Sequence, residues 1–388
     1  MINIQDKSLC CGCSACAQKC PKQCIKMTKD EEGFLYPVVD NNICINCGLC
    51  EKVCIELHPY PEHYPEKVFA VKNRNENIRK DSSSGGLFTA IASYIIENYN
   101  GVVFGVQFDE HFQAIFSYTE SISGLQRYRG SKYVQASVNT AYNDVEVFLK
   151  SGRYVLFCGT SCQVAGLKRY LVKEYEKLFT LDFICHGVPS PLIWDKYLQE
   201  WAAGDSLTKI VAVKMRDKQY GWKRFSLKIV EDYGNKSITK QFAKTSYGKL
   251  FLSDNSLRQS CFKCPAKGGS ANSDLTMADF WGADIFYKDF DDNKGITLAI
   301  INNHRIMYLL EGLDNVNYIE PTFDQVFSAN SGYFKSVLFK ESRTECFRML
   351  NKGYSIDNIA NKLVKNTYSF VIKDYIKFIL ERLGLWKK

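Results

Sequence analysis

At 388 residues the chain is long enough for about two or three domains, and with 46% apolar and 24% charged residues it has the composition of an ordinary globular protein with a sizeable core. Its net charge of +8 lies past residue 58 (six Lys against seven Asp or Glu before that point, −1, leaving +9), which suits an anionic ligand or an acidic partner, and without a basic stripe interleaved with aromatics it argues against nucleic acid. The start, MINIQDKSLC, lacks the regions of a secretory signal and no run approaches the ~18 apolar residues of a membrane span, so a cytoplasmic protein is expected, in which sixteen cysteines point to metal binding or chemistry and not to a disulfide framework.

The first 58 residues are dominated by one repeated spacing. Cys10, Cys13, Cys16 and Cys20 form CxxCxxCxxxC, and Cys44, Cys47, Cys50 and Cys54 repeat it 34 residues later. Four thiolates are the ligand set of a [4Fe–4S] cubane, and in two-cluster ferredoxins the fourth cysteine of each run serves the other cluster. One cluster is therefore assigned to Cys10, Cys13, Cys16 and Cys54, and a second to Cys44, Cys47, Cys50 and Cys20. Structural zinc, which uses paired CxxC or Cys with His, fits this spacing badly. Cys11 and Cys24 fall outside the pattern and read as non-ligands. Residues 1–58 thus resemble a bacterial two-cluster ferredoxin, with Ile55 in place of the proline expected after the last cysteine. HPYPEHYPEK follows, and residues 59–66 read as a stiff, Pro-rich linker.

From residue 67 the pattern becomes α/β. KVFAVKN, GVVFGVQF, RYVLFCG and LFTLDFIC read as strands. SGGLFTAIASYIIENYN reads as a helix with Ser82 to Ser84 as capping candidates, and CQVAGLKRYLVKEYEKL and PLIWDKYLQEWAA read as further helices. IVAVKMR, RFSLKIV and SITKQFA read as an antiparallel insert. Residues 341–388 form a helical tail. Its end, residues 368–388, reads as a basic amphipathic helix with five basic and two acidic residues. Packing on the body or on a second copy of the chain is expected there, in preference to contact with a membrane surface.

Four more cysteines stand at informative places. Cys162, in GTSCQ, opens a helix after a strand; Cys185 closes a strand before HGVPSP; Cys261 and Cys264 form CFKCP. Ligands gather beyond the carboxyl ends of strands in α/β sheets. The four thiols suffice for a third cubane, although a CxxC pair also suits a redox disulfide or a zinc half-site. Cys158 is the rival to Cys162.

SSSGGLFTA, FCGTSCQ, FICHGVPSP, MRDKQYGWKRFS, LRQSCFKCP and SDLTMADFWG follow one another over residues 82–282. Together they resemble the β-subunit family of coenzyme F420 hydrogenases and dehydrogenases, which includes 7-hydroxymethyl chlorophyll a reductase. The resemblance extends over about residues 1–330. It implies a flavin-binding body at residues 67–340, usually holding FAD (FMN less often), beside a cluster held by Cys162, Cys185, Cys261 and Cys264. Ser161 stands where the family usually has proline. The expected fold is therefore a two-[4Fe–4S] ferredoxin-like head, a larger mixed α/β body and a helical tail.

The flavin site is less legible. Ser84, Gly85 and Gly86 precede a helix, where amides could receive a phosphate; a simple cap is the plainer reading. Lys214, Arg216 and Lys218 alternate along a strand and would share a face toward a diphosphate or substrate anion, or toward solvent. His186 is the candidate proton shuttle, or is merely hydrogen-bonded beside the cluster. No GxGxxG occurs. The parts describe an oxidoreductase that takes single electrons from ferredoxin or a similar low-potential donor and passes a hydride from flavin to a small-molecule substrate. The alternative is an electron-transfer subunit of a larger hydrogenase or dehydrogenase; a homo-oligomer is compatible with either.

Overall fold

A computed structural model describes residues 1–202, 210–231 and 236–364 of the chain. The amphipathic helix expected at residues 368–388 lies outside them.

The head is built on the hairpin β1 (Ile25–Lys29) and β2 (Leu35–Val39), flanked by the short helices Ala15–Lys19 and Leu49–Lys52. The 34-residue repeat is also a backbone repeat. Gly12 (φ 71°) answers Asn46 (φ 51°), and Ser14 (φ 64°) answers Gly48 (φ 73°), each of the second pair immediately before its helix. Left-handed residues at these points fold the CxxCxxC run back on itself, so that its thiols converge.

The body carries an eight-stranded mixed sheet. Its strands are β3 (Lys67–Asn73), β4 (Val102–Phe108), β5 (Ala114–Thr119), β6 (Val155–Cys158), β7 (Leu178–Phe183), β11 (Leu275–Asp279), β12 (Thr297–Ile301) and β13 (Val316–Ile319). They lie in the order β13-β3-β12-β11-β7-β6-β4-β5. The central four, β11-β7-β6-β4, are parallel and the outer pairings antiparallel. The insert is a separate antiparallel sheet of β8 (Ile210–Asp217), β9 (Ser226–Glu231) and β10 (Lys236–Gln241).

Both faces of the large sheet are covered, which is why its inner strands read as continuous apolar runs. Successive residues of β6 serve opposite cores. Leu156 packs with Ile91 and Ile95 of the helix Leu87–Tyr99, and Phe157 packs with Tyr142 and Leu167 on the other side. Beyond the carboxyl ends of β6, β7 and β11 stand Cys162, Cys185 and Trp281.

Three local expectations are corrected. The serines before Leu87–Tyr99 do not cap it: Gly86 is the N-cap at φ 86°, while Ser82 Oγ donates to Ile78 O of the preceding helix and Ser84 Oγ to Ile296 O. The helix that begins at Ser161 ends at Leu171, because Val172 turns left-handed (φ 66°) and Leu178 is needed in β7. Lys214, Arg216 and Lys218 do not share one strand face. A bulge between Lys214 and Asp217 breaks the alternation, leaving Lys214 exposed and Arg216 buried, and Lys218 lies past the strand end.

The head is tied into the body core. Phe34, from its hairpin turn, is fully buried among body residues. Glu32 pairs with buried Arg343 (Nη1–Oε1 3.0 Å, Nη2–Oε2 2.5 Å), whose Nε also donates to Leu257 O. Gly166, inside the helix Ser161–Leu171, faces the head loop. A Cβ there would stand 2.9 Å from Cys13 Cβ and 2.9 Å from the Tyr142 hydroxyl. Gly166→Ala therefore sets a helix-propensity gain of about 1 kcal/mol against an overpacking penalty of about 1–3 kcal/mol. A net loss of stability in denaturant melts is expected; an increase would mean that the head loop yields freely.

Candidate functional site

The cysteines line three hollows. Cys10, Cys13, Cys16 and Cys54 line the first, of about 350 Å³ including its solvent-open part, with Ile2, Ile4 and Met27 as apolar wall. Cys20, Cys44, Cys47 and Cys50 line a second of about 350 Å³, walled by Ile25 and Val39. Each hollow thus takes three thiols from one CxxCxxC run and the fourth from the other. Cys162, Cys185, Cys261 and Cys264 line the third, in the body, of about 460 Å³. Cys158 does not line it; this thiol packs with the opposite core, where burial pushes its pKa up to about 12. Among the described residues no three His, Cys, Asp or Glu side chains close on a single-ion position.

Donor chemistry and surroundings fit iron–sulfur clusters. Each set is all thiol, and amides already point at some of the sulfurs: Ile2 N at Cys50 Sγ (3.3 Å) and Val188 N at Cys261 Sγ (3.4 Å). Burial pushes Cys16, Cys261 and Cys264 up to about 12, so loading metal must displace protons from these thiols.

Two thiols that the spacing leaves aside also lie here. Cys24 stands 3.3 Å from Cys20 in the second hollow. Cys11 is buried and lines both the first hollow and the third, so that one side chain separates two cysteine sets. Its carbonyl accepts from Gln135 Nε2 at 3.1 Å. Glu56, on the wall of the first hollow, is pushed up to about 7 by burial against the pull of Arg258, and its Oε1 has no hydrogen-bond partner.

His186 follows Cys185 at the rim of the third hollow. Its Nε2 lies 2.7 Å from Asp254 Oδ1, and Asp254 Oδ2 accepts from Lys340 Nζ at 2.7 Å. Burial works to raise the Asp254 carboxyl, but the hydrogen bonds from His186 and Lys340 prevail and lower it.

The residues singled out for a flavin phosphate do converge, yet on one another. Gly85 N donates to Thr297 Oγ1 (2.8 Å), and a Cβ at Gly85 would meet Val71 O at 2.2 Å. Arg216 forks onto Asp279 (2.8 and 3.1 Å) and donates to Ser83 O (2.8 Å) and the Tyr133 hydroxyl (2.9 Å). Lys218 donates to the carbonyls of Arg79, Ser84 and Lys294, and Lys214 pairs with Asp81. Arg216 and Lys218 clamp the Ser-Ser-Ser-Gly-Gly loop through the carbonyls of Ser83 and Ser84. Sequence reasoning missed the groups beside it: Ser131, whose hydroxyl meets that of Ser83 at 2.7 Å; Lys132, which burial lowers to about 7; and the half-exposed Trp281, stacked on Trp222 at 5.0 Å. Signals for Ser131 and Trp281 were faint, because their partners Ser83 and Trp222 come from distant elements.

Residues 152–322, which hold all four cysteines of the third hollow, match the family that describes the C terminus of the coenzyme F420 hydrogenase/dehydrogenase beta subunit. This segment, 171 of the 388 residues, is similar to the C-terminal part of that beta subunit. Among the proteins similar to this chain is the coenzyme F420-dependent sulfite reductase of Methanocaldococcus jannaschii, 26% identical over 203 residues, which are 50% of this chain and 30% of that protein. The chain therefore spans less than a third of that relative's length. The head is ferredoxin-like: it is 35% identical over 65 residues to ferredoxin 7Fe of Hydrogenibacillus schlegelii, spanning 16% of this chain and 77% of the ferredoxin. A chain of the F420-reducing [NiFe] hydrogenase complex from Methanosarcina barkeri aligns over 80% of this chain and 93% of its own at 14% identity, with a TM-score of 0.47. Among the described residues no helix is long and apolar enough to cross a membrane.

The lining of the third hollow separates the two rival cysteines, Cys158 and Cys162. Cys162→Ser is expected to lower the iron content of anaerobically prepared protein by about four atoms, one cluster's complement. Cys158→Ser, which alters a thiol in the opposite core, should leave it unchanged. Elemental analysis with absorbance near 400 nm reads both, and the reverse pattern would make Cys158 the ligand.

Proposed function

We propose that the chain is an iron–sulfur flavoprotein oxidoreductase: electrons enter singly from ferredoxin or a similar low-potential donor, pass the head, and leave two at a time with one proton taken up from solvent, as a hydride to an organic substrate, a deazaflavin among the candidates. The observation that carries this reading is the sharing of Cys11 between the first and third hollows, which sets a head cysteine set against the body set with one side chain between them. When bound, the clusters supply one-electron transfer and the flavin the exchange between single electrons and a hydride.

The chain's own residues would then do the following. Cys10, Cys13, Cys16 and Cys54, then Cys44, Cys47, Cys50 and Cys20, and in the body Cys162, Cys185, Cys261 and Cys264 hold the three clusters. Gly166 keeps the head loop close to the helix of Cys162. The clamped loop at Ser83–Ser84, with Ser131, the Lys132 amine and the exposed face of Trp281, would offer hydroxyls, an amine and an aromatic plane beyond the carboxyl ends of the parallel strands. That is the chemistry a flavin's polar tail and ring require. His186, oriented by Asp254, holds a proton at the rim of the third hollow.

A second reading, an electron-transfer subunit of a larger enzyme, is favoured by the exposed apolar Leu338 and Phe339, the latter against Phe262 between Cys261 and Cys264. A stoichiometric large partner in native purification decides for it.

Anaerobically purified protein is expected to contain twelve iron atoms, four for each of three clusters, and one non-covalent flavin per chain. Iron near eight would remove the body cluster, zinc in place of iron would overturn the cluster scheme, and protein without flavin would overturn the flavin. Cys264→Ser should keep about eight iron atoms while stopped-flow reduction of the flavin by a protein donor slows at least tenfold; an unchanged rate would refute the order of the relay.

A further inference from the structure

Four arginines are buried among the described residues: Arg79, Arg216, Arg258 and Arg343. Three of them fork onto a carboxylate: Arg79 onto Asp292, Arg216 onto Asp279 and Arg343 onto Glu32. Arg258, at 0% exposure, pairs with no carboxylate among the described residues. Its Nε donates to Cys10 O (2.7 Å), Nη2 to Leu35 O (2.9 Å) and Nη1 to Gln135 Oε1 (3.1 Å), and the guanidinium lies 4.1 Å over the Tyr36 ring. All these partners are neutral. Glu56, on the wall of the first hollow, forms no ion pair with it.

A guanidinium does not deprotonate, and a buried charge left without a counter-charge is strongly unfavourable. The counter-charge must come from something that the neutral acceptors aim the cation toward. On one side is the Cys10 loop, whose carbonyl Arg258 holds. A Cβ on Gly12 would stand 3.0 Å from Arg258 Nη1, so only glycine lets that loop close over the guanidinium. On the other side is Cys261: its amide donates to Arg258 O (3.0 Å), and Val188, whose carbonyl accepts from Arg258 N (3.0 Å), turns its own amide to Cys261 Sγ. Gln135 completes the bracket, holding Arg258 with its oxygen and the carbonyl of Cys11 with its nitrogen.

We propose that Arg258 is a fixed cation shared by the first head cluster and the body cluster, balancing their thiolate charge and holding both at a higher reduction potential than they would otherwise have. The proposal rests on the cluster reading above. A four-thiolate cubane is an anion that gains one further negative charge on reduction. A buried cation beside it in a low-dielectric surround therefore favours the reduced form. Placed between two sites, one guanidinium acts on both and keeps their potentials near each other, which suits a relay that runs through Cys11. Arg258 is a positioning residue in this scheme and ligates nothing.

The test uses the full chain, loaded anaerobically, as R258Q and R258K, with metal content measured first and each cluster then titrated by EPR-monitored redox potentiometry. Iron is expected at the parental level in both variants. In R258Q the reduced-to-oxidised ratio of the two clusters at a fixed potential should fall at least tenfold, which is about 59 mV for a one-electron couple. The cluster held by Cys20, Cys44, Cys47 and Cys50 should not move, and R258K, which keeps the charge, should stay within about threefold of the parent. Parental iron with unmoved midpoints in R258Q would overturn the proposal, since a merely structural staple leaves potentials alone. Should R258Q not take up iron, R258K decides: a shift of tenfold or more with the charge retained overturns it. Zinc, or no iron, in the parent chain would overturn the cluster reading itself and is seen before any potential is measured.

Discussion

The head loop that carries Cys11 and Cys13 lies against the helix that carries Cys162, and most of the architecture answers to that contact. Gly166 supplies the space, since any Cβ there would meet Cys13 and Tyr142 at 2.9 Å. The same helix begins at Ser161, just past the end of β6, with Gln163 Oε1 accepting from Thr160 N at 3.0 Å. The parallel strands thus deliver Cys162 and Cys185 to one edge of the sheet, and the head is pressed down onto that edge. Glu32 with Arg343, Phe34 in the main core and Arg169 over Tyr60 (4.0 Å) hold it there.

Close approach of this kind has an electrostatic consequence. Burial of the first and third thiol sets pushes their pKa values up, so cluster loading there must release protons. The polar groups near the body set are accordingly committed to partners. Lys267 Nζ donates to the carbonyls of Cys185 and Gly332, and His186 is fixed by Asp254. Commitment of the same sort explains the Ser-Ser-Ser-Gly-Gly loop, where Arg216 and Lys218 grip backbone carbonyls and make the loop a rigid wall at the sheet's carboxyl edge.

Much of this was legible in the chain itself. The CxxCxxCxxxC repeat is a short-range code, because ligand spacing on one loop is set by local backbone geometry, and the paired left-handed residues Gly12/Asn46 and Ser14/Gly48 keep that code in the fold. The strands β3, β4, β6 and β7, the antiparallel insert and the helices Leu87–Tyr99 and Pro191–Trp201 follow from periodicities of a few residues. β5, β11, β12 and β13 were not read as strands. The last three are short, and their place is decided by pairing with strands far away in sequence, whereas β5 pairs with its chain neighbour β4.

What tertiary structure alone decided is which of several equivalent residues does which work. Nothing local separates Cys158 from Cys162, which are four apart; the end of β6 turns one into the opposite core and the other into the hollow. Lys214, Arg216 and Lys218 look like an anion-binding face until a bulge and Asp279 redirect them. Cys11 looks idle until the head is docked, when it lies between two hollows. The sequence by itself determined the donor chemistry, since that depends on residue type and short spacing. Only the folded chain decided adjacency, because a contact such as Arg258 with Cys10, 248 residues apart, is made by long-range packing and leaves no local signature.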